Sequence, residues 1–234
     1  MSTAVATLDL PAISKYGPED DNQDDFTKGA NFLPRLEFKS AGATIVKQKK
    51  FPCDHYAMVV GKKELVDLGE TFVAFPLAYR YKALDFREKG KVKVSYDPKS
   101  EEFLKIKTEA DRQRPPGEMS GCMYGAEFLL AIEKDGKTEL VTLLCGSASW
   151  KAAAKKLFGL TRQFVTFGSK LIEGKYTYMA PEISTASGSF DFTEPAKINK
   201  AVALFIAATG TVTEKDEEGD ENPPATTAEA GRVR

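Results

Sequence analysis

Short runs of alternating apolar and polar residues fill the first half of the chain and predict β-strands, because every second side chain of a strand points to the same face of its sheet. The predicted strands of this half cover 32–38, 55–60, 65–68, 72–86 and 91–96. The run 72–86 is interrupted by Pro76, which predicts a strand that is bulged or that lies at a sheet edge.

The second half of the chain contains two predicted hairpins. Asp135-Gly136 separates the β-rich runs 127–133 and 137–145, and an Asp-Gly pair in such a place is a strong signal for a tight hairpin turn. Two further strands, 164–172 and 175–179, meet at a turn that contains Glu173-Gly174.

Three segments have helical patterns. The first begins after Pro98, carries Phe103, Leu104 and Ile106, and ends before the basic, proline-containing loop 112–117. The second covers 150–158, with Ser147 or Ser149 as its N-cap and Gly159 at its end. The third, 196–208, is apolar on most sides and must pack against another element.

About eight short strands with few helices predict a mainly β fold. A helix that follows a hairpin, with strands on both sides, favours an OB-fold-like antiparallel β-barrel, although the number of strands also fits a sandwich. We expect a single domain over 28–210. The acidic flanking segments, 1–27 and 211–234, have compositions typical of disordered chain.

Charge is unevenly distributed along the chain. Residues 1–25 have a net charge of −5, residues 26–213 have +8, and residues 214–234 have −4. The total of −1 therefore hides a basic body between two acidic ends. A basic body favours an anionic partner, and an acidic tail can compete with that partner for the same surface.

The residue inventory argues against most enzyme classes. The chain has one histidine, His55, and it lacks a nucleophile elbow, a phosphate-binding Gly-Lys-Ser loop and a dinucleotide-binding glycine motif. We therefore expect a protein that is not an enzyme and that uses no metal and no cofactor. A nuclease that holds a metal through carboxylates remains an alternative. Three widely spaced cysteines, Cys53, Cys122 and Cys145, fit reduced thiols better than a disulfide framework.

No run of about 18 apolar residues is present, and the N-terminus lacks the basic and apolar regions of a secretory signal. We expect a cytoplasmic protein with no membrane partner.

Aromatic and basic residues alternate in 77–86. On a strand, Tyr79 and Tyr81 share one face while Arg80 and Lys82 share the other. Aromatic rings can stack on bases, and cations can follow the phosphates of a single strand. In the alternative interpretation, the two tyrosines are half-buried sheet residues and the two cations are solvated.

Other candidates extend this set. Arg112 and Arg114 lie in the proline-containing loop, and Tyr124 follows Gly121 in a segment where glycines permit close approach. The complete set of predicted nucleic-acid-binding residues is Arg35, Phe38, Lys39, Tyr79, Arg80, Tyr81, Lys82, Arg112, Arg114, Tyr124, Trp150, Lys151, Lys170 and Tyr176.

Four segments resemble stretches of phage-encoded single-stranded DNA-binding proteins. They are Phe32-Leu33-Pro34-Arg35-Leu36, Asp67-Leu68-Gly69, Pro76-Leu77-Ala78-Tyr79-Arg80 and Ser120-Gly121-Cys122-Met123-Tyr124-Gly125. The resemblance covers 31–182. It implies an oligonucleotide-binding barrel that coats single-stranded DNA without sequence preference during phage replication or recombination. It also implies a tail that competes with DNA and contacts replication or recombination proteins, and a homo-oligomer is compatible with it.

Another class of function fits the same charge pattern. In a structural or assembly protein of a virion, the acidic ends would be solubilising arms and the basic body would bind another protein. Such a protein would form a fixed oligomer and would not bind an oligonucleotide.

Overall fold

Ten strands and four helices make up the described part of the chain. The computed structural model describes residues 33–61, 64–89, 91–114, 120–146, 150–173, 177–188, 192 and 194–207, together with the backbone of 211–215. The strands are β1 (Arg35–Lys39), β2 (His55–Val60), β3 (Glu64–Gly69), β4 (Phe72–Asp85), β5 (Lys91–Ser95), β6 (Cys122–Lys134), β7 (Lys137–Cys145), β8 (Val165–Ile172), β9 (Tyr178–Thr185) and β10 (Thr211–Lys215). The helices are α1 (Thr44–Lys47), α2 (Glu101–Asp111), α3 (Lys151–Gly159) and α4 (Pro195–Ala207).

All ten strands belong to one sheet that curls into a half-barrel. The order along its main path is β10-β5-β4-β6-β7-β1-β2-β3, and β8 branches from β4 and carries β9. Among the described pairs, β1 with β7 is parallel and the others are antiparallel. The prediction of a mainly β, barrel-like fold with few short helices is confirmed.

The two faces of the sheet carry separate cores because side chains alternate along β6. Phe128 and Leu130 point to the concave face, where they pack with Tyr56 and with Leu157 of α3. Leu129 points to the convex face, which α4 covers. A third, smaller cluster lies at the end of β4, where α2 packs Phe103 and Ile106 on Ala83 and Cys122. The half-barrel is therefore filled on its concave side by α3 and α2.

The turns explain the register. Asp135 and Gly136 have positive φ angles of 52° and 71°, as a two-residue hairpin turn requires, and Lys134 pairs with Lys137. The predicted Asp-Gly hairpin is therefore confirmed. Pro76 lies at a register shift between β4 and β6, so the predicted bulge is also confirmed, but β4 lies inside the sheet and not at its edge.

The predicted helices are present with shifted boundaries. The hydroxyl of Ser100 accepts a hydrogen bond of 3.2 Å from the backbone N–H of Phe103, which defines the start of α2. The caps predicted at Ser147 and Ser149, and the glycine of the predicted Glu173-Gly174 turn, lie outside the described residues.

Three elements differ from the sequence-based expectation. Helix α1 forms in the connection between β1 and β2, and β6 begins at Cys122 instead of at residue 127. Strand β10 pairs with β5 from Thr211 to Lys215, within the segment whose composition predicted a disordered tail. Backbone hydrogen bonding to an existing strand favours order in a short segment whose side chains alone do not predict it.

Candidate nucleic-acid interface

Arg80 and Lys82 lie in the interior of the protein and not on a solvated face. Both bind the buried carboxylate of Glu127, at 2.7 Å from Nε of Arg80 and 2.8 Å from Nζ of Lys82. The guanidinium also lies 3.9 Å from the ring centre of Tyr96 and donates a 3.2 Å hydrogen bond to the carbonyl of Phe205, near the end of α4. Burial raises the pKa of the Glu127 carboxyl, but the charges of Lys82 and Arg80 outweigh it and lower this pKa. These two cations are therefore corrected to structural residues, because both are bound to one buried carboxylate.

Several predicted stacking residues belong to the concave core. Trp150 is only 9% exposed, and its ring lies 6.5 Å from that of Tyr56. Phe38 packs on the same Tyr56 ring at 5.1 Å, and Tyr79 packs edge-on against Phe158 of α3 at 4.7 Å. Trp150 is corrected to a core residue. Tyr79 is half-buried in the sheet, as the alternative interpretation of the two tyrosines expected.

The remaining predicted cations differ in how strongly acidic residues hold them. Arg114 is almost buried and binds Glu109, and Lys39 binds Glu37, so neither presents a free charge. Arg112 and Arg35 are largely exposed, and each lies 4.0 Å from a glutamate, Glu109 and Glu37 respectively. Lys170 lies on β8, 3.5 Å from Glu182. Tyr176 lies outside the described residues.

Tyr81 occupies a gap between two helices on the concave face. Two residues before it on the same face, Tyr79 contacts Phe158 of α3. Two residues after it, Ala83 lies beneath α2. Tyr81 itself is 46% exposed, an unusual value for an aromatic residue in the middle of a sheet strand. We call this place the Tyr81 gap, and we define it by Tyr81 together with the flanking helices α2 and α3.

Tyr124 adds a second ring to the gap. It pairs with Ala83 while Tyr81 pairs with Ala126, so the two tyrosines are diagonal neighbours on one face of β4 and β6. The hydroxyl of Tyr124 donates to the Asp111 carboxylate at 2.9 Å, and Nζ of Lys107 lies 5.6 Å from the ring centre. Burial and the bond to Asp111 raise the pKa of Tyr124. The ring is thus fixed in orientation, with a cation beside it.

Helix α3 supplies cations at the opposite side of the gap. Lys151, Lys155 and Phe158 follow one another at spacings of four and three residues, so they share one stripe of the helix. Because Phe158 contacts Tyr79, the last residue of this stripe lies beside the strand residue that precedes Tyr81 on the same face. Both lysines are exposed, and within the described part of the chain neither forms an ion pair. Lys151 was predicted from the sequence to bind nucleic acid, whereas Lys107 was not.

Two stretches of the chain contain no acidic residues. Residues 140–172 contain five lysines and arginines and no acid, and residues 38–53 contain four lysines and no acid. The second stretch contains α1 and the exposed Lys47, Lys49 and Lys50, and it leads into β2 beside Tyr56. The Tyr56 ring lies 6.5 Å from the Trp150 ring, so β2 packs beside the start of α3.

Comparisons with known proteins add no relative: no family model, no curated protein and no solved structure matches the chain. Over the described residues, no group of three histidine, cysteine, aspartate or glutamate side chains is arranged to hold a metal ion. None of the helices in that same part of the chain has the length and apolar character needed to cross a membrane.

Proposed function

We propose that this protein binds single-stranded DNA without sequence preference and coats it during replication or recombination, as in a phage-infected cell. One observation carries the proposal: the exposed ring of Tyr81 lies in a gap of the concave face, beside Tyr124 and between two helices. These helices carry Lys107, Lys151 and Lys155, which form no ion pair with any residue that the structure describes. Stacking on Tyr81 and Tyr124 suits any base, because every base has a π-face.

Electrostatics would supply the second part of the binding energy. Lys107 lies 5.6 Å from the ring centre of Tyr124, and α3 carries the exposed Lys151 and Lys155. The connection between β1 and β2 adds the exposed Lys47, Lys49 and Lys50 to the positive charge of the body. Cations that neutralise phosphates release counterions, so affinity falls as salt rises. The acidic residues after β10 imitate a polyanion and compete with DNA for this surface.

Fluorescence anisotropy with a labelled dT oligonucleotide tests the proposal. The full chain is titrated at two salt concentrations, with a duplex of equal length as a control. Preferential, salt-sensitive binding to the single strand is expected. Absence of binding at low salt contradicts the proposal and leaves the virion assembly protein as the better hypothesis. The same oligonucleotide incubated with Mg²⁺ should stay intact, since cleavage would instead indicate a nuclease.

A further inference from the structure

The hairpin of β8 and β9 projects beyond the start of β4 as a two-stranded ribbon. Strand β8 pairs with β4 only through its first three residues, opposite Phe72–Ala74, and β9 pairs only with β8. The ribbon, which we define as residues 168–172 and 178–182, therefore has no third strand among the described residues. Because β8 is antiparallel to β4, the tip of the ribbon points away from the end of β4 at Asp85.

The tip of the ribbon is apolar on both faces. Leu171 is 53% exposed and lies opposite Met179, and on the other face the exposed Tyr178 lies opposite Ile172. Met179 and Ile172 are half-buried. A two-stranded ribbon without further cover is only marginally stable in water, and exposed apolar patches commonly mark binding sites. The tip therefore has the character of a contact surface.

A second exposed patch lies past the other end of β4. Helix α2 packs there on Ala83, and an open groove of about 490 Å³ lies beside the helix. The residues that line this α2 groove are Arg87, Glu101, Leu104, Lys105, Thr108 and Glu109. Leu104 is 49% exposed, and Phe86, which precedes Arg87, is also exposed. The α2 groove thus offers apolar surface to a partner, with charged groups at its rim.

The tip and the α2 groove lie past opposite ends of one long strand. Strand β4 has 14 residues, and an extended strand of that length spans up to roughly 45 Å. The tip extends beyond Phe72, whereas the α2 groove begins beyond Asp85. Among the described residues, these two places contain four of the five large apolar or aromatic side chains that are exposed, and Tyr81 is the fifth. A contact between the tip and the α2 groove therefore joins two copies of the chain.

Charge favours a second copy over a polyanion as the partner of both patches. The hairpin 165–185 contains two lysines and two acids, and the α2 groove is lined by two cations and two carboxylates. Two copies therefore meet there without net repulsion. At the tip, Glu173 is exposed and forms no ion pair with any residue that the structure describes. In the α2 groove, the side chain of Lys105 is 63% exposed, so it can bind a further carboxylate.

We infer that the ribbon tip of one copy binds the α2 groove of the next copy, with Leu171 packed on Leu104 and Glu173 beside Lys105. A contact between patches at opposite ends of a protein is head-to-tail, so it repeats from copy to copy and builds an open row. Because both patches are small, the contact is weak and the row lengthens with protein concentration. The contact does not depend on the proposed function, although a row of copies suits a protein that coats a strand.

Sedimentation velocity of the full chain without DNA, over a wide range of concentration, tests the inference. The unmodified protein should form species larger than a dimer as its concentration rises. Leu171→Asp and Leu104→Asp each place a charge in one side of the contact and should stay monomeric. Ala203→Asp is the control of equal charge, because Ala203 is an exposed residue of α4, and it should associate like the unmodified protein. Circular dichroism checks that each variant folds, and Leu171→Ser and Leu104→Ser are milder replacements with the same expected loss of association.

A mixture of the two monomeric variants tests the head-to-tail geometry. Leu171→Asp keeps an intact α2 groove and Leu104→Asp keeps an intact tip, so the mixture should form a dimer and nothing larger. A tip-to-tip contact would instead let Leu104→Asp associate by itself and would give no mixed dimer, and that result overturns the inference. An unmodified protein that stays monomeric at every concentration overturns it as well.

The inference and the proposed function can fail separately. Anisotropy with a labelled dT oligonucleotide is measured on the same preparations. If the unmodified protein binds the oligonucleotide but does not associate, the inference fails and the proposed function stands. If it associates head-to-tail but binds no oligonucleotide, the inference stands and the proposed function fails.

Discussion

Arg80 and Glu127 form an ion pair inside the protein, with 2.7 Å between their atoms and with side chains that are only 8% and 4% exposed. The pair connects neighbouring strands, since Arg80 lies directly opposite Glu127 in the β4–β6 ladder. Through its hydrogen bond to the carbonyl of Phe205, Arg80 also attaches the end of α4 to the convex face. The most basic part of β4 therefore stabilises the fold, which leaves Tyr81 as the residue of this strand that faces solvent.

Removing the carboxylate should destabilise the protein strongly. Glu127→Ala leaves Arg80 and Lys82 buried without a counter-charge, and we expect the free energy of unfolding to fall by about 3–5 kcal/mol. Glu194→Ala is the control, because Glu194 pairs with Lys197 at the surface, where a pair contributes about 0–1 kcal/mol. Urea denaturation followed by circular dichroism measures both changes. Equal losses in the two variants would contradict the structural role assigned to Glu127.

Asp85 should make stability depend on acid pH. A hydrogen bond from Arg87 lowers the pKa of Asp85 to about 2 in the folded protein, from an ordinary value of 3.8. The unfolded chain therefore binds a proton at higher pH than the folded protein does, so this stabilisation is present above about pH 4 and is lost as the pH falls toward 2. We expect Asp85→Asn to flatten the fall in unfolding free energy between about pH 5 and 2. Urea titrations at several pH values in that range measure it, and identical slopes for both proteins would refute the assignment.

The lysines of α3 should determine part of the salt dependence. For single strands, the slope of log affinity against log salt is about −0.7 for each neutralised phosphate. Replacing both Lys151 and Lys155 by Gln should thus make the slope less steep by about 1.4. Lys134→Gln with Lys137→Gln, at the β6–β7 turn, is a control of equal charge that should leave the slope unchanged. If the two double variants change the slope equally, the effect is one of overall charge, and α3 is not a specific phosphate-binding site.

The acidic tail should weaken DNA binding by competition. Residues 216–234 have a net charge of −4, and their removal leaves β10 intact for pairing with β5. We expect chain 1–215 to bind a dT oligonucleotide more tightly than the full chain, with the difference shrinking at high salt. A full-length variant with Asn and Gln in place of the acids of 216–221 should reproduce the gain. Equal affinity of all three proteins would exclude self-competition.

The fold was largely predictable because its signals are local. Asp135-Gly136 specifies a turn through the φ angles of two adjacent residues, and Ser100 specifies a helix start through a bond to Phe103. Strand β10 was missed because its order depends on β5, which is distant in the sequence. The one parallel pair of the described strands, β1 with β7, likewise depends on contacts that no local pattern encodes.

The site was only partly predictable because burial depends on distant residues. Alternation placed Tyr81 and Arg80 on opposite faces correctly, but it could not show that Glu127, 47 positions away, holds Arg80 in the interior. The burial of Trp150 likewise depends on a distant residue, because its ring packs near the ring of Tyr56. A helical stripe of Lys151, Lys155 and Phe158 was visible in the sequence, yet its direction became clear only from the contact of Phe158 with Tyr79.

The most direct test of the account is the affinity of Tyr81 variants for single-stranded DNA. Tyr81→Ala removes the exposed ring and Tyr81→Phe retains it, and both should fold, because the side chain is about half exposed. In anisotropy titrations with a labelled dT oligonucleotide at constant salt, Tyr81→Ala should lose about 1–3 kcal/mol of binding free energy while Tyr81→Phe loses little. If Tyr81→Ala binds as tightly as the unmodified protein, the Tyr81 gap is not the nucleic-acid interface.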